Sequence, residues 1–288
     1  MRKFIKQQAK SFLKSNPRFY QLFLDDLEEQ GIRFLRHCED HSMVFFPNDT
    51  VGKRMRTAGD FGRDTVRRVK AMLSQARPLP AEPAILELGA NVGTHTVYLA
   101  LEFPSARITA VEPDIQSAEI LKYNININEI DSRAEVRTVA VSDQPGHMTF
   151  IRDHHNRGAS SLVQNSKSIA WTEAQSLSDG YQEISVEVQT ADAVVQTLPD
   201  GHVDFVWMDV EGHEMNVFMG FQETIAKARP PMYFEYNAPR QSDENRARLK
   251  RLIFDHYSEV YLDHEGAFTR ITEQTFDTFS VRRDLLIL

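Results

Sequence analysis

Only one cysteine, Cys38, occurs in the 288 residues. No intramolecular disulfide can form and no cysteine-based zinc centre can be assembled, which fits a reducing, cytoplasmic setting. No apolar run reaches the roughly 18 residues that a bilayer-spanning helix needs. No secretory leader is expected, because Lys10 and Lys14 interrupt any apolar stretch near the start. Positive charge is in deficit as well: 33 Lys and Arg stand against 41 Asp and Glu, a formal net charge of −8. Such a chain is a poor overall match to a nucleic-acid backbone, so no nucleic-acid partner is expected. The exception is local. Arg2, Lys3, Lys6, Lys10, Lys14 and Arg18 all precede the first acid, Asp25, while Ile5, Ala9, Phe12 and Leu13 fall near one helical face. This basic N-terminal helix reads either as a solvated helix packed on the domain or as a peripheral contact for an anionic membrane surface or acidic partner. Nothing in the sequence sets the oligomeric state.

What is present reads as one large domain with an appendage. Residues 1–77 form an N-terminal extension of helix and short strands, with a helical segment to residue 30, strands at Arg33–His37 and Met43–Pro47, and an amphipathic helix from Asp60 to Gln75. Pro78, Pro80 and Pro83 mark the joint. From residue 78 to 288 short apolar runs alternate with helical patterns. Strands are expected at Ala84–Leu88, Ile108–Val111, Val136–Val141, Val203–Met208, Met232–Glu235, Val260–Leu262 and Leu285–Ile287. Helices are expected from Gly93, over Asp114–Asn128 and over Ser242–Asp255. That alternation predicts an α/β fold with a doubly wound, mostly parallel sheet covered on both faces. The polar stretch His154–Gln182 has few apolar anchors and reads as a long loop, either a substrate lid or a solvated insertion.

Three strand ends carry the chemistry. The first is Glu87-Leu88-Gly89-Ala90-Asn91-Val92-Gly93-Thr94-His95, a strand-to-helix turn whose glycines admit a ligand against backbone and whose helix start offers unpaired amides. A dinucleotide site wants Gly-x-Gly-x-x-Gly. Asn91 stands where the second glycine would admit a pyrophosphate, which argues against NAD and suits S-adenosylmethionine. The second is Glu112-Pro113-Asp114, where Glu112 can accept both ribose hydroxyls and Asp114 can cap the next helix. The third is Asp209-Val210-Glu211-Gly212-His213-Glu214, placed directly after an apolar strand, where unpaired charge would be costly unless it serves a partner. Ser142 and Asp143, after the third strand, are expected near the adenine. His95 lines a pocket or caps its helix.

These motifs resemble the FkbM family of methyltransferases. The Gly89-Ala90-Asn91-Val92-Gly93 turn, Glu112-Pro113, Gly158-Ala159-Ser160-Ser161-Leu162, Asp209 to Glu214 and, more loosely, Val188–Asp192 carry the resemblance, which runs from about Gly59 to Tyr236. Glu87 stands where the family usually has Asp, and Ala191 where it often has Leu. The resemblance implies a class I, Rossmann-like domain that moves a methyl group from S-adenosylmethionine to a hydroxyl of a sugar, polyketide or other small-molecule or glycan acceptor, leaving S-adenosylhomocysteine. Glu87, Gly89, Asn91, Gly93, Thr94, His95, Glu112, Ser142, Asp143 and Asp209 are then the cofactor candidates. Alcohol methylation needs a base, for which Asp209, Glu211, His213 and Glu214 are candidates, Asp209 by position and His213 by its pKa range. Glu211 could instead hold the turn through backbone amides. Asp209, Glu211 and Glu214 could also gather a hard divalent cation, although the resemblance does not require one and none is expected. A nucleic-acid or protein methyltransferase, or a non-catalytic binder of S-adenosylmethionine, are the alternatives.

Overall fold

The computed structural model describes Leu24, Asp26, Leu27 and residues 30–154, 156–163 and 181–288. The basic N-terminal segment, His155 and the middle of the polar stretch, 164–180, lie outside the described residues.

The chain opens with a hairpin, β1 (Phe34–His37) and β2 (Ser42–Phe45), followed by α1 (Thr50–Thr57) and α2 (Arg63–Ala76). Then come β3 (Ala84–Leu88), α3 (Thr94–Glu102), β4 (Arg107–Val111), α4 (Ile115–Ile127) and β5 (Ala134–Arg137). A side excursion holds β6 (Ala140–Ser142), β7 (Gly146–Asp153), β8 (Ser161–Leu162) and β9 (Tyr181–Thr190). After α5 (Ala191–Gln196) the main sheet resumes with β10 (Phe205–Met208), α6 (Glu214–Met219), α7 (Gln222–Ala228) and β11 (Met232–Tyr236). The chain closes with α8 (Asp243–His256), β12 (Val260–His264), β13 (Ala267–Arg270), α9 (Glu273–Asp277) and β14 (Arg283–Ile287).

The eight-stranded sheet has the order β13-β12-β14-β11-β10-β3-β4-β5. Strands β11, β10, β3, β4 and β5 run parallel, β14 pairs antiparallel with β11, and β12 pairs antiparallel with β14. The doubly wound, mostly parallel α/β architecture is therefore present. Period-two alternation divides the central strands between two cores. Leu86, Leu88, Val206, Met208, Met232 and Phe234 face α5–α9. Ile85, Ile108, Ala110, Phe205, Trp207 and Tyr233 face α1–α4. In α2 the apolar residues Val66, Val69 and Leu73 recur at helical spacing and are buried in this second core. Met43, Phe45, Val51 and Met55 share it, so residues on both sides of position 77 pack together. Among the described residues no helix is long and apolar enough to cross a membrane.

Two sequence expectations need correction. The third strand, read as Val136–Val141, is two strands: β5 ends at Arg137 in the main sheet, and Ala140–Ser142 pairs in parallel with β9 in a separate four-stranded sheet, β6-β9-β7-β8. Leaving the main sheet lets Val139, Ala140 and Val141, still buried, line a cavity beside the strand ends. The long polar loop is shorter than expected. Arg157–Ala159 is a single 3-10 turn, Ser161–Leu162 pairs with β7, and Tyr181 and Gln182 already belong to β9.

The β1–β2 hairpin is joined to the sheet domain by two asparagines four residues apart, Asn124 on α4 and Asn128 capping its end. Asn124 Oδ1 accepts from Val44 N at 2.7 Å, and its Nδ2 donates to Val44 O at 2.8 Å and Val92 O at 2.7 Å. Asn128 repeats the pattern on Ser42, at 2.8 and 2.7 Å. Asn124 is fully buried, as is its bond to Val92 O. Asn124→Ala is expected to lower the unfolding free energy by about 2–4 kcal/mol, since stranded buried polar groups cost roughly 1–3 kcal/mol each. Chemical denaturation checks this, and a loss below half the lower figure would show that the hairpin is held by packing alone.

Candidate functional site

Sequential strands β3, β4 and β5 step one way across the sheet, and β10 then returns to the other side of β3. The reversal leaves a crevice at the carboxyl ends of β3 and β10, where open α/β sheets bind ligands. Three turns meet there. In the first, Gly89 (φ 82°), Asn91 (φ 50°) and Gly93 (φ 87°) take left-handed backbone conformations between β3 and α3. Gly89 is required by contact as well as by φ, because a Cβ there would lie 1.7 Å from the carbonyl oxygen of Asp209. In the second, Glu112 Oε2 accepts from Asn91 N and Oε1 from Asp114 N, both at 2.8 Å, so one buried carboxylate stitches two turns together. Asp114 caps α4 through Gln116 N at 3.1 Å. It also receives Arg152 Nε at 2.9 Å and Arg157 Nη1 at 3.4 Å. In the third, Glu211 is left-handed (φ 50°) and Gly212 follows at φ 96°.

Two cavities open at this crevice. The narrower slot is lined by Glu112, Pro113, Val139–Val141, Phe150, Ser160–Leu162 and His213. The second is a chamber of about 260 Å³ lined by Phe61, Thr94, His95, Trp207, Tyr233 and Glu235, with Arg282 and Asp284 at one side. Gly89, Asn91, Gly158, Asp209 and Glu211 line both. The aromatic wall is continuous: Trp207 lies 4.4 Å from Tyr233 and 4.9 Å from His95 between ring centroids.

Of the residues singled out in the sequence, Gly89, Asn91, Glu112, Asp209, Glu211 and His213 reach the slot, and Thr94 and His95 reach the chamber instead. The other five line neither cavity. Glu87 faces α3, where its Oε2 accepts from Thr96 Oγ1 at 2.5 Å. Gly93 packs against Leu121. Ser142 Oγ bonds His213 Nε2 at 2.8 Å and Asp143 Oδ1 at 2.9 Å. Asp143 also accepts from Asn216 Nδ2 at 3.1 Å. Glu214 is fully buried, with Oε1 accepting from Gly212 N at 2.8 Å and Oε2 from Gln241 Nε2 at 2.9 Å. The amide-holding role considered for Glu211 thus falls to Glu214. Glu211 lies within 3.7 Å of both Arg240 and Arg282.

Sequence reasoning missed Glu235, Arg282 and Asp284. Glu235 is the fourth residue of β11, 9% exposed, with Arg282 Nη1 at 3.2 Å. An acid inside the apolar run Met232–Tyr236 was the available signal. Carboxylate oxygens of Asp209, Glu211 and Glu235 all lie within 4.8 Å of one another.

Burial dominates the electrostatics. It pushes the Glu87 carboxyl up to about 8, and those of Glu112 and Glu214 up to about 7. It raises Asp209 too, with the charges of Glu211 and Asp284 adding to the shift. It lowers His95 to about 4 and His213 to about 3, so both are neutral imidazoles at physiological pH.

These shifts set a pH dependence. Above pH 4.5 an unfolded chain releases protons that the folded chain retains on Glu87 and Glu112, so rising pH favours unfolding until it passes their folded values of about 8 and 7. His95 acts in the opposite sense, but only as pH falls through 6.5 towards about 4. The ligand-free protein is therefore expected to lose stability between about pH 6.5 and 8, and Glu87→Gln, which keeps an acceptor for Thr96, should flatten that loss. Thermal unfolding across this range checks it, and a midpoint that rises with pH would contradict it.

Residues 87–273 match the methyltransferase FkbM domain, extending past the Tyr236 limit of the sequence resemblance and starting later than Gly59. Methyltransferase sdnD of Sordaria araneosa is 28% identical over 162 residues, covering 50% of this chain and 62% of that protein. The 2-O-methyltransferase NoeI of Sinorhizobium fredii is 29% identical over 162 residues, covering 54% of this chain and 64% of that protein. The chain thus spans a little over three-fifths of the length of these relatives. A crystal structure of methyltransferase FkbM from Methylobacillus flagellatus superposes with a TM-score of 0.48 at 14% identity, covering 80% of this chain and 48% of that one. The domain match takes in more than half of the sequence, and by it the chain belongs to the FkbM methyltransferase family.

Proposed function

We propose that the chain transfers a methyl group from S-adenosylmethionine to a hydroxyl of a small-molecule or glycan acceptor, with sugars and polyketides the leading classes. One observation carries this reading. Two cavities, one bearing the nucleoside-type acid Glu112 and the other an acid-lined aromatic chamber, share a wall at Asp209 and Asn91. The first residues to test are those of the slot. Asn91 Oδ1, on the slot wall, is buried without a hydrogen-bond partner, so the protein has left an acceptor for a ligand's donor. Glu112 has spent one lone pair of each oxygen on the turns, which leaves capacity for two ribose hydroxyls. Val139, Val141, Phe150 and Leu162 form an apolar cleft suited to an adenine. The residues fit the cofactor.

S-adenosylmethionine supplies an electrophilic methyl on a sulfonium. In the transfer the carbon–sulfur bond breaks with its electron pair to sulfur, a carbon–oxygen bond forms, and the hydroxyl proton goes to a base. Holding the acceptor in line is the larger task. For the proton we favour Asp209, because it borders both cavities. His213 lies on the slot, bonded to Ser142, and Glu214 is committed to the turn, so neither is placed for the acceptor's proton. The name of NoeI, a 2-O-methyltransferase, supports oxygen as the acceptor atom. A nucleic-acid acceptor is disfavoured by a chamber whose walls carry four carboxylates and would repel phosphates.

Calorimetry with S-adenosylhomocysteine tests the reading. Wild type should bind. Glu112→Gln should weaken binding by about tenfold or more, equivalent to 1.4 kcal/mol. Asp209→Asn should keep it to within a few-fold. Absence of binding by the wild type would sink the proposal, and equal losses in both variants would sink the division between slot and chamber.

A further inference from the structure

We infer that Asp209, Glu211 and Glu235 form a binding site for a divalent cation of the Mg²⁺ or Mn²⁺ class, set in the wall that the acceptor chamber shares with the cofactor slot. The three side chains come from neighbouring parallel strands: Asp209 and Glu211 from the turn after β10, Glu235 from β11. One oxygen of each lies within 4.8 Å of the other two. Oxygens sharing an ion at about 2.0–2.4 Å from each are separated by no more than about 4–5 Å, so the spacing already suits a common ion. The ligands are all hard carboxylates, which selects Mg²⁺, Mn²⁺ or Ca²⁺ over softer metals.

A second observation is independent of the cluster's spacing. Asp209 Oδ1 is sealed from solvent and accepts no hydrogen bond. A carboxylate oxygen in that state is costly unless a cation or donor meets it. Asn91 Oδ1, likewise buried and unpartnered, borders the slot and can be met by the cofactor, but no protein donor is directed at Asp209 Oδ1.

Charge gives the third line. Asp209, Glu211, Glu235 and Asp284 line the chamber, and the guanidiniums that meet them are those of Arg282 and Arg240. The four acids outnumber the guanidiniums around them, Arg68 beside Asp284 included, and a cation would relieve the repulsion among them. Arg282 Nη1 approaches Glu235 at 3.2 Å and Glu211 at 3.7 Å, so it covers one side of the cluster and leaves Asp209 for the ion. Glu214, the third acid suggested by the sequence, takes no part: it is fully buried, lines neither cavity, and is held in the turn by Gly212 N and Gln241 Nε2. Glu235 replaces it.

What the ion does rests on the methyltransferase reading; that it binds does not. Beside Asp209 it would draw an acceptor hydroxyl to the shared wall and ease loss of its proton.

The test uses the full chain without cofactor. Mn²⁺ is titrated and free ion is followed by electron paramagnetic resonance. Tb³⁺ is titrated in parallel, with luminescence excited through Trp207, which lines the same chamber. The expected result is one equivalent of Mn²⁺ and sensitised Tb³⁺ emission that Mn²⁺ displaces. Glu235→Gln and Glu211→Gln should each weaken Mn²⁺ by about tenfold or more. Glu82→Gln, at an exposed site before β3, should not. Far-UV circular dichroism establishes that each variant is folded. Absence of stoichiometric uptake by the wild type, or uptake unchanged in whichever glutamine variants fold, overturns the site. S-adenosylhomocysteine binding measured on the same samples separates the two failures: retained binding without Mn²⁺ removes the ion site alone, whereas Mn²⁺ uptake without nucleoside binding removes the methyltransferase reading alone.

Discussion

The contact between Gly89 and the Asp209 carbonyl is the constraint on which the rest of the crevice depends. Strands β3 and β10 are adjacent and parallel, and Asp209 N donates to Leu88 O at 2.8 Å, continuing the ladder one step past the strands. At that step the two chains must diverge to open a site, yet they are still within bonding distance. Only a residue without a Cβ can occupy the inner position, since a methyl group there would overlap the carbonyl at 1.7 Å. The turn after β3 is then forced left-handed at Gly89, Asn91 and Gly93, and the turn after β10 at Glu211 and Gly212. Two non-glycine residues with positive φ facing one crevice are the kind of local strain that a surrounding fold must hold in place. Here Glu112 holds the first turn and Glu214 the second, each carboxylate accepting from a backbone amide at 2.8 Å.

Buried acids therefore divide into two kinds. Glu87, Glu112 and Glu214 are enclosed but satisfied, each bonded to named donors inside the protein. Asp209, Glu211 and Glu235 are crowded together, with Arg282 and Arg240 beside Glu211, and one oxygen of Asp209 has no donor. The first kind builds the crevice, and the second gives it a function. The distinction comes from counting hydrogen bonds and from position: Glu87 and Glu214 line neither cavity, whereas Glu112 still has a second lone pair on each oxygen facing the slot.

That count explains what the sequence could and could not reveal. The central strands were legible because fully buried parallel strands are nearly continuous apolar runs: Ala84–Leu88 was placed to the residue, and the capping acids and amides at Asp114 and Asn128 bracketed α4 correctly. The β5–β6 break was not legible, because Val136 to Val141 is apolar enough to read as one strand and nothing local records that its halves pair with different sheets. Strand β9 was legible in principle. Ile184, Val186 and Val188 alternate with Glu183, Ser185 and Glu187, a period-two pattern overshadowed by the polar stretch before it. Gly89, Asn91, Glu112 and Asp209 were identified because each sits at a strand end in a local motif. Glu87 and Glu214 sit in the same motifs yet turn away, since side-chain direction depends on pleat and turn geometry that a motif does not encode. Arg282 and Asp284 could not be found, as they reach the chamber only through the antiparallel insertion of β14 beside β11.

The same logic extends to the segment that closes the crevice. Asp114 accepts from Gln116 N, from Arg152 on β7 and from Arg157 in the 3-10 turn, so one buried carboxylate joins the nucleoside-side turn to the small sheet and to the strap at 156–162. The Arg157 guanidinium also lies 3.8 Å from the centroid of the Phe46 ring, tying the strap to the N-terminal hairpin. Buried ion pairs contribute little net stability over an apolar substitute of the same shape, because desolvation offsets most of the attraction. Their gain is geometric: a guanidinium engaged through several nitrogens fixes direction as well as distance. Arg157, Gly158, Ser160 and Ser161 all line the slot, and Gly158 also lines the chamber. The position of the strap is thus set by the helix cap that follows Glu112, and a shift in that turn would move the walls of both cavities together.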